Sequence, residues 1–300
     1  MSFQIQQIFD VEKKLNYVVL QSDSIFAKIV LNQGASLQEL TLGSIPIIQD
    51  LYPLKYEDTY ASSILFPFVN RIKNGKYFFD DFEYQIEINE RERNNALHGF
   101  VYNKEFQIIS QLLEKEKASI VLEYNETKLS KGFPFTYKIQ LEYTLQNASL
   151  ELKVTALNTS TKSFPFTLGW HPYFTSSDLF NSSLKFDSDK KVSFDENLIT
   201  QTTEKYNFES ELKIENKKFD DCFYLNGDLV EFETPKYRLE ITTSEKNSFL
   251  QVYTPPKENI IAIEPTTGIS NSFNNKIGLK ILEPNEESEV TWKLVITNLR

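Results

Sequence analysis

The sequence predicts an all-β protein whose strands form large, mostly antiparallel sheets. Two long runs, Thr136–Leu145 and Ser149–Leu157, alternate polar and apolar residues. At the two-residue period of a strand, this alternation gives one buried face and one solvated face. Few segments have helical periodicity, and the nine glycines form no glycine-rich phosphate loop. A large antiparallel sandwich is therefore the expected architecture.

The strands can be placed along the chain from the same signal. The two long runs are separated by Gln146-Asn147-Ala148, a short turn-forming link, so they are expected to form an antiparallel hairpin. A short helix is expected at Glu204–Phe208. Six further runs have strand-like composition: Phe26–Leu31, Ser119–Tyr124, Tyr237–Thr242, Phe249–Tyr253, Ile260–Ile263 and Val290–Ile296.

Composition points to one soluble domain spanning residues 1–300. Forty per cent of the residues are hydrophobic and 14% are aromatic, which is enough to form a core. We find no repeat, low-complexity run or linker that would divide the chain. Exposed edge strands of such a sandwich can be covered by loops or by a second copy, so either a monomer or a homodimer is expected.

The net charge and the absence of targeting signals limit the expected binding partners and the expected cellular location. A net charge of −10 argues against a nucleic acid or an anionic membrane surface as partner. No uncharged apolar stretch approaches the ~18 residues needed to span a bilayer. The N-terminal segment has neither the basic start nor the apolar run of a secretion signal. We therefore expect a cytoplasmic protein that binds a neutral or small ligand.

The cysteine and histidine content makes a metal site or a cofactor unexpected. Cys222 is the single cysteine, so an intramolecular disulfide and a cysteine-rich metal site are excluded. It is expected to be a small buried apolar residue. The two histidines lack the spacing of a metal-binding motif, and no Gly-x-Ser-x-Gly elbow is present.

The two histidines, His98 and His171, are the first candidates for proton transfer. Histidine has an unperturbed pKa of about 6.5, so it can give or take a proton near neutral pH. His98 follows Asn95-Ala96-Leu97, and His171 lies between Trp170 and Pro172-Tyr173. Aromatic faces beside hydrogen-bonding groups suit a sugar ring, although Trp170 and either histidine could equally be structural.

Three further polar positions follow apolar runs. Arg71 comes directly after Phe66-Pro67-Phe68-Val69-Asn70, where its planar guanidinium could hold an oxygen-rich ligand or form an internal salt bridge. Glu264 ends an apolar strand before a proline. Partial desolvation there would raise its pKa and make it a better proton acceptor, although a surface carboxylate is the alternative. Asp220 and Asp221 form a carboxylate pair that is weak evidence alone.

These residues lie in motifs whose order resembles that of the aldose 1-epimerase (galactose mutarotase) family. The resemblance extends roughly from Phe26 to Thr297. The motifs are Asn32-Gln33-Gly34-Ala35-Ser36-Leu37, Asn70-Arg71-Ile72-Lys73-Asn74-Gly75, Asn95-Ala96-Leu97-His98-Gly99, His171-Pro172-Tyr173-Phe174, Asp220-Asp221-Cys222-Phe223 and Ile263-Glu264-Pro265.

The resemblance implies a galactose-mutarotase-like supersandwich and a cofactor-independent isomerase that interconverts the α and β anomers of a free aldose. Glu264 would be the general base at the anomeric hydroxyl, and His171 the general acid at the ring oxygen. The substrate would be held by His98, Arg71, Asp220 and, more weakly, Asn70.

At two motifs the sequence departs from the galactose mutarotases proper, and both departures resemble the divergent bacterial branches of the family. His171 follows Gly169-Trp170, and Leu65-Phe66-Pro67-Phe68-Val69 precedes Asn70-Arg71. Two alternative functions remain open at this point. One is a sugar-binding protein that has lost turnover. The other is a hexose-6-phosphate 1-epimerase, in which Arg91 and Arg93 could bind the phosphate unless they form a solvated loop with paired charges.

Overall fold

A computed structural model describes residues 3–206 and 211–298. Strands dominate the described residues, with two short helices, α1 (Tyr56–Thr59) and α2 (Ser272–Asn275). Up to residue 158 the strands are β1 (Gln4–Asp10), β2 (Leu15–Ser22), β3 (Ile25–Val30), β4 (Ser36–Leu42), β5 (Ile45–Ile48), β6 (Ile64–Leu65), β7 (Arg71–Lys73), β8 (Lys76–Phe79), β9 (Phe82–Gln85), β10 (Asn95–Leu97), β11 (Gln107–Leu113), β12 (Lys117–Glu126), β13 (Tyr137–Gln146) and β14 (Ser149–Asn158). The remaining strands are β15 (Phe164–Phe166), β16 (Gly169–Trp170), β17 (Tyr173–Thr175), β18 (Ser183–Phe186), β19 (Lys190–Phe194), β20 (Thr200–Lys205), β21 (Leu212–Lys213), β22 (Asp220–Tyr224), β23 (Leu229–Glu233), β24 (Tyr237–Thr243), β25 (Phe249–Tyr253), β26 (Ile260–Thr266), β27 (Lys280–Leu282) and β28 (Glu287–Asn298).

Two large sheets dominate the architecture. The nine-stranded sheet has the order β11-β12-β13-β14-β28-β24-β23-β18-β21. The eight-stranded sheet has the order β20-β19-β22-β25-β26-β16-β6, with β17 also paired to β26. Strands β1 to β5 form a third sheet in sequential order, and three two-stranded pairs complete the fold. The paired strands run antiparallel, so the predicted all-β class is confirmed.

The predicted strands agree with the structure, and the predicted hairpin is confirmed. Strands β13 and β14 pair along their whole length, from Tyr137 opposite Asn158 to Gln146 opposite Ser149. The inward residues of both strands are buried and the outward ones are partly exposed, as alternation requires.

The expected helix at Glu204–Phe208 is wrong where the structure describes it. Glu204 and Lys205 end strand β20 and pair with Lys191 and Lys190 of β19. The strand is exposed along most of its length, so it has no apolar face that would reveal a two-residue period. Phe208 lies outside the described residues.

The core lies between the two large sheets. Trp170 of β16 stacks on Trp292 of β28, with ring centroids 6.2 Å apart and an interplanar angle of 25°. Trp170 is therefore a core residue. Cys222 is buried with a free thiol, as expected. None of the described helices is long and apolar enough to cross a membrane.

Candidate active site

Strand register brings a row of side chains together on one face of the eight-stranded sheet. Gln251 of β25 pairs with Glu264 of β26 on one side and with Cys222 of β22 on the other. Residues directly opposite each other in antiparallel strands project from the same face. The intervening residue Ile263 faces the core and is fully buried. The alternation of β26 thus directs Glu264 away from the core.

The same register places His171 beside Glu264. Gly169 of β16 pairs with Thr266, and Tyr173 of β17 pairs with Ala262. Both pairs follow one register, in which His171 falls opposite Glu264. The His171 Nε2 lies 3.4 Å from the Glu264 Oε1, and the two side chains are only 6% and 4% exposed. This buried pair is the centre of the candidate active site.

Burial shifts the pKa of both members of the pair towards the neutral form. Desolvation raises the pKa of Glu264 well above its usual value; the nearby Asp220 charge raises it further, and Arg71 opposes the shift. Desolvation also lowers the pKa of His171 to about 3. Both shifts favour the uncharged forms, a protonated carboxyl beside a neutral imidazole.

His171 is held by its backbone and by an aromatic neighbour. Its amide donates to the Ser63 carbonyl at 3.0 Å, and its own carbonyl accepts from the Ser62 amide at 2.8 Å. The Tyr173 ring stacks on the imidazole, with centroids 4.9 Å apart and an interplanar angle of 18°. The Tyr173 hydroxyl donates to the Thr59 carbonyl at 3.0 Å, which fixes that ring.

His98 approaches the pair from a separate segment. Its amide donates to the Asn70 carbonyl at 2.9 Å, and its ring meets that of His171 edge to face, with centroids 5.2 Å apart. The Tyr60 ring also meets the His98 ring edge to face, with centroids 4.8 Å apart. Burial lowers the pKa of His98 well below its usual value, and the neighbouring His171 and Arg71 lower it further. A neutral imidazole can both donate and accept hydrogen bonds.

Arg71 forms the internal salt bridge that was the alternative to a ligand role. Its Nη2 lies 2.8 Å from the Glu90 Oε1, and its Nε donates to the Glu90 Oε2 at 2.9 Å. Burial alone would raise the pKa of Glu90, but the hydrogen bonds and charge of Arg71 lower it. The Arg71 Nη1 donates to the Asn70 Oδ1 at 3.0 Å. These contacts orient both Arg71 and Asn70, and their role towards a ligand stays a prediction.

The two neighbouring aspartates have different surroundings. The Asp220 Oδ1 accepts a hydrogen bond of 2.8 Å from the Gln251 Nε2, and Asp220 acts electrostatically on Glu264. Burial raises the pKa of Asp220, which Arg71 partly opposes. Asp221 pairs instead with Lys191 at 2.5 Å. Successive residues of a strand face opposite sides, so only Asp220 joins the site.

Two residues of the site were missed by sequence reasoning. Gln251 is a polar residue inside the otherwise apolar strand Phe249–Tyr253, and that interruption could have marked it as a buried hydrogen-bonding group. Glu90 lies in the charged run Glu90-Arg91-Glu92-Arg93, where nothing distinguishes it from its neighbours.

The arrangement is suited to proton transfer at two adjacent oxygens. A carboxyl and an imidazole stand side by side, and a second imidazole, a guanidinium and a carboxylate surround them. Within residues 3–206 and 211–298, no group of three His, Cys, Asp or Glu side chains could hold a metal ion. The chemistry that these side chains can perform is acid–base chemistry.

A comparison with known protein families matches most of the chain. The family model described as aldose 1-epimerase matches residues 17–294. A similar curated protein is YihR of Escherichia coli (strain K12), described as an uncharacterized protein. It is 28% identical over 266 residues, which cover 85% of each chain.

Solved structures show the same fold at lower sequence identity. A galactose mutarotase-like protein from Clostridium acetobutylicum has a TM-score of 0.88 at 22% identity, with 99% of each chain covered. A galactose 1-epimerase from Lactobacillus acidophilus NCFM has a TM-score of 0.82 at 18% identity, covering 99% of this chain and 100% of that one. The expected galactose-mutarotase-like supersandwich is therefore confirmed.

Proposed function

The chain belongs to the aldose 1-epimerase family, and from this we propose that it interconverts the α and β anomers of a free aldose. The observation that carries the proposal is the buried pair of Glu264 and His171, whose side chains approach to 3.4 Å. Ring opening removes a proton from the anomeric hydroxyl and adds one to the ring oxygen. A carboxylate and an imidazolium placed beside these two oxygens can perform both transfers.

The proposed ring opening balances its protons within the pair. Glu264 takes the proton of the anomeric hydroxyl, the bond between C1 and the ring oxygen breaks, and C1 becomes an aldehyde. His171 gives its proton to the departing ring oxygen. After rotation about the C1–C2 bond the transfers run in reverse, and the other anomer forms. The pair holds one proton before and after the cycle.

The pKa directions of the pair fit the open-chain stage of this cycle. After ring opening Glu264 is protonated and His171 is neutral, which is the arrangement that burial favours for the empty site. Hydrogen bonds from sugar hydroxyls would stabilise the Glu264 carboxylate. The bound cyclic sugar would thereby move the proton to His171 and prepare the pair for ring opening.

The surrounding side chains would bind the sugar. We propose that His98 and Arg71 hold the ring oxygens and polarise the site. Asp220, held by Gln251 at 2.8 Å, would accept hydrogen bonds from sugar hydroxyls, and Asn70 would complete the binding shell. No cofactor takes part in this proposal. The cytoplasmic location and the monomeric or homodimeric state stay predictions.

Polarimetry of freshly dissolved α-D-glucose and α-D-galactose tests the proposal. The wild-type protein should speed the relaxation of at least one sugar in proportion to its concentration, with an unchanged endpoint. In Glu264→Gln the amide keeps the shape and loses the basicity, so the rate should fall by about 10²–10⁴-fold. Glu258→Gln, at an exposed carboxylate, is the matched control and should keep the wild-type rate.

The same measurement separates the alternatives. A sugar-binding protein without turnover would bind galactose in calorimetry and leave the relaxation unchanged, which would refute the epimerase proposal. Arg93 pairs with Glu90 at 3.3 Å, so its charge is partly compensated, while Arg91 is exposed. We therefore retain the free aldose as substrate. Competition of inorganic phosphate with galactose would instead favour a phosphorylated sugar.

A further inference from the structure

A large cavity lies beside the His98 segment and is separate from the candidate active site. Its volume is about 690 Å³, within the range of roughly 300–1,000 Å³ that is typical of small-molecule sites. Ala96, Leu97 and Gly99 line it, whereas Glu264 and His171 do not. The cavity therefore needs an explanation other than the proposed reaction.

The wall of the cavity is aromatic and contains a buried donor without a partner. Phe68, Phe133 and Tyr137 line it, and each is only 1% exposed. The Tyr137 hydroxyl has no hydrogen-bond partner among the described residues. The nearby Glu126 carboxylate is already engaged, because it accepts a hydrogen bond of 2.5 Å from the Tyr124 hydroxyl. Buried hydroxyls ordinarily have a partner, so an acceptor is expected to meet this one.

The lining also carries cationic side chains. Lys128 and Lys131 line the cavity, are exposed, and have no ion-pair partner within the described part of the chain. Lys104, a third lining lysine, pairs with Glu126 at 3.5 Å. Glu87, the other acidic lining residue, is exposed. The lining thus carries three lysines and two glutamates, a net charge of +1 in a chain of net charge −10, which favours an anionic ligand.

We propose that this cavity is a second binding site, for a small amphipathic anion. The flat apolar body of the ligand packs against Leu97 and Phe100, two apolar lining residues that are half-buried. A polar atom of the ligand accepts a hydrogen bond from the Tyr137 hydroxyl, and a carboxylate pairs with Lys128 and Lys131. The inference is independent of the proposed epimerase activity because it uses none of the acid–base groups.

Binding of para-coumarate, measured by calorimetry on the full chain, tests the charge requirement. This probe has a flat apolar body with a hydroxyl at one end and a carboxylate at the other. We expect one saturable site with a Kd below about 1 mM. The double variant Lys128→Gln/Lys131→Gln should weaken it about tenfold. The matched control Lys13→Gln/Lys14→Gln, at two exposed lysines of another turn, should bind as the wild type does. Absence of saturable binding, or equal affinity in the two double variants, would overturn the proposal.

Two further comparisons locate the ligand. Tyr137→Phe should weaken para-coumarate about tenfold and leave cinnamate, which lacks the hydroxyl, unchanged. An equal effect on both probes would refute the contact with Tyr137. Saturating galactose should not displace para-coumarate. Displacement would place the probe in the candidate active site and would overturn a separate second site, whether or not the protein is an epimerase.

Discussion

At the scale of single residues, the candidate site centres on two buried groups that we propose share one proton. The carboxyl of Glu264 and the imidazole of His171 are each driven towards neutrality by the same cause, the loss of water. A carboxylate beside an imidazolium has the same net charge of zero as a carboxyl beside a neutral imidazole. Contacts with the substrate can therefore determine which of these two arrangements is more stable. This balance would let one pair serve both directions of a reversible reaction.

Replacement of His171 should separate binding from turnover. His171→Asn keeps a polar side chain of similar size but cannot carry a proton, so we expect the polarimetric rate to fall by about 10²–10⁴-fold. Galactose binding in calorimetry should persist, because other side chains are proposed to hold the sugar. A wild-type rate in this variant would remove His171 as the acid.

The buried carboxyl of Glu264 should also lower stability as the pH rises. Its pKa is raised in the folded protein, so above the usual value near 4.3 the native state keeps a proton that the unfolded chain releases. The free energy of unfolding then falls with increasing pH, up to the folded pKa. Glu264→Gln removes this loss. The Tm of Glu264→Gln minus the Tm of the wild type should therefore be larger at about pH 8 than at about pH 4.

His171 makes the stability depend on pH in the opposite direction. This contribution is the same in the wild type and in Glu264→Gln, so it cancels in their Tm difference. Its folded pKa of about 3 lies below the usual value of about 6.5, so both proteins lose stability as the pH falls between these values. Thermal unfolding followed by circular dichroism at several pH values gives the difference between them. A Tm difference that stays constant with pH would contradict the buried, protonated state of Glu264.

At the scale of elements, the site lies where the segment that contains His98 and Gly99 crosses the segment that contains Phe66. Gly99 forms a parallel bridge with Phe66, directly after the strand that leads to His98. Gly99 has a φ of +73°, and a Cβ there would lie 2.2 Å from the Phe66 carbonyl oxygen. Only glycine fits this approach, so the position of His98 depends on it.

Gly99→Ala should therefore harm both stability and activity. We expect the free energy of unfolding to fall by about 1–3 kcal/mol, from backbone strain and the displaced crossing. The polarimetric rate should fall as His98 moves. Gly227→Ala is the control, because a Cβ there meets no atom within 4 Å, and its change should stay within about 0.5 kcal/mol. Equal stability of the two variants in urea would refute the steric argument.

The length of an element decided whether the sequence could reveal it. Strands β13 and β14 have ten residues each and a buried inner face, so alternation was sufficient to predict them and their hairpin. Strands β6 and β16 have two residues each and exist only through their pairing partners. The exposed edge strand β20 carries no apolar pattern, and there the helix prediction was wrong.

The residues of the candidate site were predicted for a different reason. Its six residues lie in ordered motifs that resemble one family, and the structure brings those residues together. The residues that hydrogen-bond to these side chains and hold them in place were not predicted. Glu90 is recognisable only through its partner Arg71. Gln251 interrupts an apolar strand, but its partner Asp220 lies in another strand that is distant in sequence. Strand register determines such contacts, and a single sequence does not reveal it.

At the scale of the whole molecule, one hydrophobic core connects the sheets. Buried residues of the N-terminal sheet, such as Val18 and Leu40, belong to the same cluster as Leu152 of the nine-stranded sheet and Leu250 of the eight-stranded sheet. A shared core couples the stability of the sheets, because none can lose its packing without exposing the others. The row that holds Glu264 thus depends on packing far from the site.

This shared core predicts that the chain unfolds as a single cooperative unit. Trp170 and Trp292, the two tryptophans of the sequence, are both buried where the two large sheets meet. Their fluorescence therefore reports the loss of the central packing, while far-ultraviolet circular dichroism reports all strands together. In urea the two signals should give coincident transitions with one midpoint. If the N-terminal sheet folded on its own core, circular dichroism would show a second transition that the tryptophans do not follow, and the single unit spanning residues 1–300 would have to be divided.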